Sequence, residues 1–564
     1  HYKRLFFHSS ISCIVILLNE FTKIHEVTSF KELCECSFKL LTARNPVLST
    51  QMGLETYSEF WPDISAKGVQ QDTKILKAIQ TKLKDFLPSL LSKKADREDY
   101  SLLEWFLGIA LFELEKMRFW AANPRLTGLI LSGLNGLILK SHFQEEKRVT
   151  SLVYRLKRIS KLVEDIKSRV TEPVQLWVNG EINAYKPLTS FVKSIPQAFP
   201  YHTHTLSEAV IIALEAIKQY QNWLQSLEGA DSLPYNKSYY EELILKRRLG
   251  MNAKKIEELG KYYLQKTEEI LTELTTNLPG NSVNEVRANI RKKHPTSFEQ
   301  LLDEHKQLAK KAKQFLQDKD LITFPLNEDH QVIFTPAPIR HLMSLGGASP
   351  PGRFDDPQRG YYWITPYDNP KMLEEHPSVA FSIFMAHESY PGHNLHAICA
   401  NTHPSIVRTH LFAYPSPNLG LMYSSQAAEV IEGWGLYCEE MMLKHGFEDD
   451  PTNPNLEKKF ILINALRWRA ARVILDVQLH TGRITYTKAV EFLQKAIGIN
   501  KTISEAEVLM YSQSPGYFLS YLIGKHLLVN LKTKLGIPDK IFHDKIVYSG
   551  VVPYWFLKEH VFSH

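Results

Sequence analysis

Apolar residues recur at intervals of three and four along most of the chain, and the pattern changes in one short region. From about Thr28 to Gln317, stretches such as "DYSLLEWFLGIALFELEKMRFW" and "SEAVIIALEAIKQYQNWLQSL" carry the period of amphipathic helices. Proline and glycine at "AANPR", "LPYNKS" and "NLPGNS" predict turns between antiparallel helices. Between Leu321 and Pro370, "HQVIFTPAPIRH" and "GYYWITPY" are β-branched and aromatic, with the Gly/Pro-rich "SLGGASPPGRFDDPQRG" between them. A small sheet or hairpin is expected there, inserted in a helical protein. Helical periodicity resumes at "HPSVAFSIFMAHESY" and continues through "SSQAAEVIEGWGLYCEEMMLKHG", "LEKKFILINALRWRAARVILDVQLHTG", "TKAVEFLQKAIG" and "YFLSYLIGKHLLVNLKTKLG". The fold class expected is mainly α, with a small β element just before a helix that carries histidines. An edge strand in that position is one way to hold a substrate peptide.

This pattern divides the chain into an apolar N-terminal segment (1–25), a helical part (26–320) and a part carrying the β segment and the chemistry (321–564). The last two form subdomains of one continuous domain. At 564 residues a large core can be buried. An apolar share of 44% and a charged share of 23% exclude wholesale disorder. The net charge of +6 is small and dispersed, so no nucleic-acid partner is indicated. Five cysteines (Cys13, Cys34, Cys36, Cys399, Cys438) show no CxxC spacing, which suggests neither a cysteine zinc site nor a disulfide framework.

The start, "HYKRLFFHSSISCIVILLNEF", is basic and then apolar from Ile11 to Leu18, which resembles the end of a secretory signal more than a spanning helix. Acceptor triplets for glycosylation at Asn236 and Asn500 fit a secreted or lumenal glycoprotein. The alternative is a cytoplasmic protein with a buried first helix. No stable membrane span is expected.

The stretch "MAHESYPGHNLH", residues 385–396, carries the chemistry. A zinc-peptidase signature places two histidines four apart on one helix, with a glutamate after the first. Here the second histidine, His393, follows His387 by six residues, behind Pro391 and Gly392. In an unbroken helix residues six apart point about 240° away from each other and cannot share an ion. Pro391, however, lacks an amide proton and its ring clashes with the carbonyl of His387. The helix is therefore expected to break or bulge at Pro391, and Gly392 lets the backbone swing His393 toward His387. The alternative is a pair of core or surface histidines at a helix end. His396 is a rival ligand by its spacing of three from His393. Glu388 stands where a general base for metal-activated water would sit.

A catalytic zinc with two histidines commonly takes a carboxylate as third ligand. The stretch "AAEVIEGWGLYCEEM" offers Glu429, Glu432, Glu439 and Glu440. Glu432 stands out by its apolar surround and its neighbour Gly433. Glu439, seven residues on, falls on nearly the same helical face, where it could orient a ligating imidazole. In "NALRWRAARVILDVQLHTG", Arg469, Arg472, Asp476 and His480 lie within about 80° around an otherwise apolar helix. Asp476 is placed to pair with Arg472 and accept from His480, either as a buried network or to ready His480 for a developing oxyanion. Tyr511 and Tyr521 are further candidate donors to an oxyanion, against the plainer reading of both as packing aromatics.

Together these motifs resemble the family catalogued as domain of unknown function 885, whose members are grouped with zinc-dependent peptidases. Its pattern runs approximately HEAYPGHHLQ, EGWALYAE, LRAxRLVVDxGLH and RYxxxPGQALSYxxG. This chain has "HESYPGHNLH", "EGWGLYCE", "WRAARVILDVQLH" and "MYSQSPGYFLSYLIG" in the same order. The match is strong from about residue 320 to 530 and looser in the N-terminal half.

The resemblance implies a mostly helical, zincin-like fold with a deep cleft. It implies one zinc ion on His387, His393 and Glu432, with Glu388 as base, and roles for Glu439, Arg469, Arg472, Asp476 and His480. The chain departs from the pattern at Met510 (Arg in the family), Tyr517 and Phe518 (Gln-Ala) and His396 (Gln). If the missing Arg and Gln grip substrate, specificity has moved or activity is weakened. The expected function is zinc-dependent hydrolysis of short peptides, of oligopeptidase or carboxypeptidase type. Arg469 and Arg472 are candidates to hold a terminal carboxylate, with a purely structural role as the equal alternative. The alternatives are a catalytically weakened zinc-stabilised binding protein and a metal-dependent amidase or esterase.

Overall fold

The computed structural model describes residues 21–336, 340, 345–413 and 417–563. The apolar run Ile11–Leu18 and Cys13 lie outside the described residues. Helices fill most of the rest, as the periodicity predicts. Those that frame the site are α1 (Lys94–Phe112), α2 (Thr127–Leu139), α3 (Thr203–Ser226), α4 (Ala253–Asn277), α5 (Phe298–Asp318), α6 (Phe381–Glu388), α7 (His393–Asn401), α8 (Ala428–Lys444), α9 (Leu456–His480), α10 (Lys501–Ser512) and α11 (Ser520–Leu535).

Polar caps set where several of these begin. Asn252 accepts from the Lys255 amide at the start of α4, Ser297 from Gln300 at α5, and Asn455 from Glu457 and Lys458 at α9. Helix α8 begins differently, without a side-chain cap and with Ala427 in the left-handed region at φ 58°. In its first turn the buried Glu429 pairs with Arg247 at 2.6 Å and accepts from the Tyr554 amide at 2.9 Å. These contacts pin the start of the helix that carries Glu432.

The β segment is a three-stranded mixed sheet and not a hairpin. Strands β1 (Glu328–Phe334), β2 (Gly346–Ser349) and β3 (Gln358–Ile364) lie in the order β1-β3-β2. β1 runs parallel to β3, with Glu328 opposite Gln358, and β2 runs antiparallel to β3. The Gly/Pro-rich stretch expected only to separate two strands thus supplies the third.

Successive residues of β3 alternate between faces. Tyr362 and Ile364 join the core that also holds Met385 and Leu395, whereas Trp363 joins the core of the helices around α2 and α3. At Gly360 a side chain would collide with Asn394, so β3 lies directly on α7.

One apolar core runs through both halves of the chain, from Leu33 and Phe106 to Trp434, Leu522 and Trp555. A smaller one gathers Leu475, Leu479, Tyr511 and Phe518 between α9 and the segments after it. Cys34, Cys36, Cys399 and Cys438 are all buried. Among the described residues no helix is long and apolar enough to cross a membrane.

Candidate metal centre

The expected break in the helix is present. Helix α6 ends at Glu388, the Tyr390–Pro391 peptide is cis, and α7 begins at His393. A Cβ on Gly392 would stand 1.7 Å from the His387 carbonyl oxygen, so a glycine is needed for the chain to fold back across the end of α6. Neighbouring elements hold the turn. Trp434 Nε1 donates to the Pro391 carbonyl at 2.9 Å, Ser389 Oγ lies 3.1 Å from His330 Nε2, and the Tyr390 hydroxyl donates to Glu328. The rings of His387 and His393 consequently stand 4.7 Å apart and nearly perpendicular.

Helix α8 brings Glu432 to the same point. One ligand atom from each of His387, His393 and Glu432 lies within 4.8 Å of the others. His393 Nε2 and Glu432 Oε2 are 3.4 Å apart, and two ligands of one tetrahedral zinc stand about 3.3 Å apart at ordinary bond lengths. His387 Nδ1 lies 2.7 Å from Glu439 Oε1. A charged carboxylate only accepts, so the proton sits on Nδ1 and leaves the Nε2 lone pair for a ligand. Among the described residues His393 Nδ1 is buried with no such partner.

Burial opposes charge on both partners of the His393–Glu432 contact. Their mutual hydrogen bond and attraction outweigh it, raising the pKa of His393 and holding Glu432 below the usual carboxylate range. Burial likewise works against Glu439, but the bond from His387 and the nearby charge of Arg469 keep it low. Two buried negative charges beside two imidazoles, one of them oriented by a carboxylate, form a donor set that fits a zinc ion.

The other predicted residues divide. Glu388 is half-buried beside the cluster, where its charge raises the pKa of Tyr362, after burial, and of His393, after Glu432. The Tyr521 hydroxyl is held protonated by burial and then by the charge of Glu432. Tyr511 is committed elsewhere: it donates to Glu507 and accepts from Arg472 Nε at 3.0 Å and Trp468 Nε1 at 3.2 Å. Arg472 also reaches Glu507 at 2.9 Å and sits among the rings of Trp468, Phe518 and Tyr521.

The expected pairing of Arg472 with Asp476 is therefore not made. Asp476 instead accepts from the Tyr240 hydroxyl at 2.9 Å and from the amides of Gly516 at 2.9 Å and Leu519 at 3.2 Å. His480 Nδ1 donates to the Asp476 carbonyl at 2.8 Å and lies 3.2 Å from Asp476 Oδ1, the contact expected from the shared stripe, and its ring stacks on Tyr240, so its described contacts are with that network and not with the cluster. His396 also stays out of the cluster, packed near Trp434, with burial lowering its pKa to about 3. Arg469 is half-buried, donates from Nη1 to the Ala465 carbonyl, and has no carboxylate within ion-pair distance among the described residues.

Two residues emerge that sequence reasoning did not assign to the site. Trp434 ties α8 to the Pro391 turn, and the Tyr517 hydroxyl donates to Glu432 Oε1 at 2.6 Å. Trp434 was visible only as bulk beside Glu432, and Tyr517 only as a departure from the family pattern. A cavity of about 680 Å³ is lined by Arg359, Tyr361 and Trp363 on the opposite face of β3, together with Ser132, Gly136 and Lys140; no residue of the cluster lines it.

The structure thus defines a mainly helical protein with a His/His/Glu cluster, buried at His387 and Glu432 and half-buried at His393, assembled across a broken helix and its neighbour. The model of the family described as "Bacterial protein of unknown function (DUF885)" matches residues 46–561, and the chain belongs to that family. No curated protein matches it. Its fold is similar to that of a candidate lipoprotein of unknown function from Shewanella oneidensis, with a TM-score of 0.73 at 19% identity over 95% of this chain and 100% of the other. It is also similar to a candidate lipoprotein from Colwellia psychrerythraea, with a TM-score of 0.75 at 17% identity over 98% and 99% of the two chains.

Proposed function

We propose that the chain is a zinc-dependent peptidase acting on short peptides. The observation that carries this reading is the convergence of His387, His393 and Glu432, with Glu388 beside them and Glu439 on the outer nitrogen of His387. His387, His393 and Glu432 would hold the ion, and Glu439 would fix the ligating tautomer of His387. An ion bound there supplies Lewis acidity toward a water and a carbonyl oxygen. Glu388 takes the proton of the attacking water and returns it to the leaving amine. Tyr521, protonated and close to Glu432, is better set than Tyr511 or His480 to donate to the oxyanion. The zincin-like fold and cleft implied by the family resemblance belong to the same reading.

Arg472 is occupied by Glu507 and Tyr511, whereas Arg469 lacks a carboxylate partner among the described residues. Arg469 is therefore the candidate to hold a substrate's terminal carboxylate, which favours the carboxypeptidase type over the oligopeptidase type. An extracytoplasmic location is supported by the lipoprotein candidates that share the fold and by the exposure of Asn236 and Asn500.

A pooled peptide library read by mass spectrometry tests the reading. Cleavage should appear, vanish with a chelator and return with zinc. Glu388→Gln should keep the zinc and lose about 10²- to 10⁴-fold in turnover. Undiminished turnover in that variant would remove Glu388 from its role, and cleavage indifferent to chelation would remove the zinc.

A further inference from the structure

We propose that Tyr517 is a positioning residue for the third metal ligand: its phenol fixes one oxygen of Glu432 and so assigns the other to the ion. The inference rests on the zinc reading above and concerns a position where this chain departs from its family pattern.

Glu432 is buried, and its two oxygens have different neighbours. Oε1 accepts from the Tyr517 hydroxyl at 2.6 Å, while Oε2 faces His393 Nε2 at 3.4 Å. A carboxylate taken out of water needs both oxygens satisfied. A neutral donor on Oε1 does this and leaves the full negative charge for a cation, which a lysine or arginine in that place would cancel.

The phenol is also well held. Its ring stacks on Tyr423 at 4.8 Å and 21°, and meets Phe518 edge-on at 5.1 Å and 85°. The turn that carries it passes through Gly516, whose φ of +76° is in the left-handed region that favours glycine. The Gly516 and Leu519 amides on either side both donate to the buried Asp476. The network around Asp476 thereby acquires a function: it anchors the turn that aims Tyr517 at the metal ligand. The family pattern has glutamine at this position, another neutral donor on a shorter side chain.

The test uses the full chain, stripped of metal, with zinc affinity read by competition against a chromophoric chelator. Tyr517→Phe should bind zinc roughly 10- to 100-fold more weakly than the wild type. Tyr517→Gln should regain part of that loss by restoring a donor on a shorter side chain. The melting transition of the metal-free proteins serves as a fold control. If Tyr517→Phe fails to fold, Tyr517→Gln against Tyr517→Met makes the same comparison of donor with no donor at similar length. In peptide turnover the loss should appear in kcat with KM little changed.

Equal zinc affinity in wild type and Tyr517→Phe, or in the Gln and Met variants, would overturn the positioning role and leave the zinc site standing. A wild-type chain that binds no zinc would overturn the zinc reading and this inference with it.

Discussion

Helices α8 and α11 cross at Gly433 and Gly524, one residue from Glu432, and replacing Gly524 with alanine tests how tightly that crossing is set. A Cβ on Gly524 would lie 1.9 Å from the Glu429 carbonyl oxygen and 2.9 Å from the Gly433 Cα. Ordinary contact begins at 3.4 Å, so the two backbones must part by about 1.5 Å, and close-packed interiors resist such a shift. The obstacle is backbone, with no flexible side chain to give way. That places the overpacking cost toward the upper end of the usual range, about 3 kcal/mol. Against it stands the gain from removing a helical glycine, about 1 kcal/mol.

The net expectation is a destabilisation of about 2 kcal/mol in urea unfolding. Helix propensity alone predicts the opposite sign. Gly108→Ala in α1, where nothing lies within 4 Å of the added carbon, is the control and should stabilise by up to about 1 kcal/mol. If Gly524→Ala proved as stable as the wild type, the crossing would be looser than this geometry requires and the reasoning would fail.

Other consequences follow from single contacts. Glu439→Gln removes the charged acceptor on His387 Nδ1 and should weaken zinc binding roughly 10- to 100-fold by chelator competition; an unchanged affinity would show that the contact does not orient the ring. Glu113 is buried, and burial, opposed by a hydrogen bond from Gln426 and the charge of Arg247, pushes its carboxyl up to about 8. Because the folded chain keeps this proton where the unfolded chain releases it, the stability it confers is fully present below about pH 4.5 and is lost as pH rises through about 8. Glu113→Gln removes that dependence, so its stability relative to the wild type should grow by a few kcal/mol between pH 5 and pH 8 in urea unfolding. Parallel pH profiles for the two proteins would contradict the assignment.

Much of the site could be read locally. The helical period located the scaffold, and the chemistry of proline and glycine located the break that lets residues six apart in sequence approach one another. Glu432 could be singled out by its apolar surround and its neighbour Gly433, and Glu439 because its spacing of seven places it on the same face of α8. The partners brought from far along the chain were not legible in the same way. Asp476 sits on the same helical stripe as Arg472 and His480 and does meet His480, yet Arg472 pairs elsewhere and the other donors to Asp476 come from Tyr240, Gly516 and Leu519. Stripe geometry gives which residues share a face, and only the neighbouring elements decide which donors reach them.

β2 escaped for another reason. Its sequence, Gly-Gly-Ala-Ser, has no alternation and little β propensity, and it becomes a strand because β3 offers a free edge. Tyr517 looked like a loss because it replaced a family residue, whereas in the fold it supplies a hydrogen bond to a buried carboxylate.

The central claim is that His387, His393 and Glu432 hold a single zinc. Elemental analysis of the purified full chain, beside Glu388→Gln and His393→Ala, tests it most directly. The account predicts one zinc per chain in the wild type and in Glu388→Gln, and a large loss in His393→Ala. A wild-type chain that holds no zinc after exposure to it, or a His393→Ala chain that holds as much, would contradict the account.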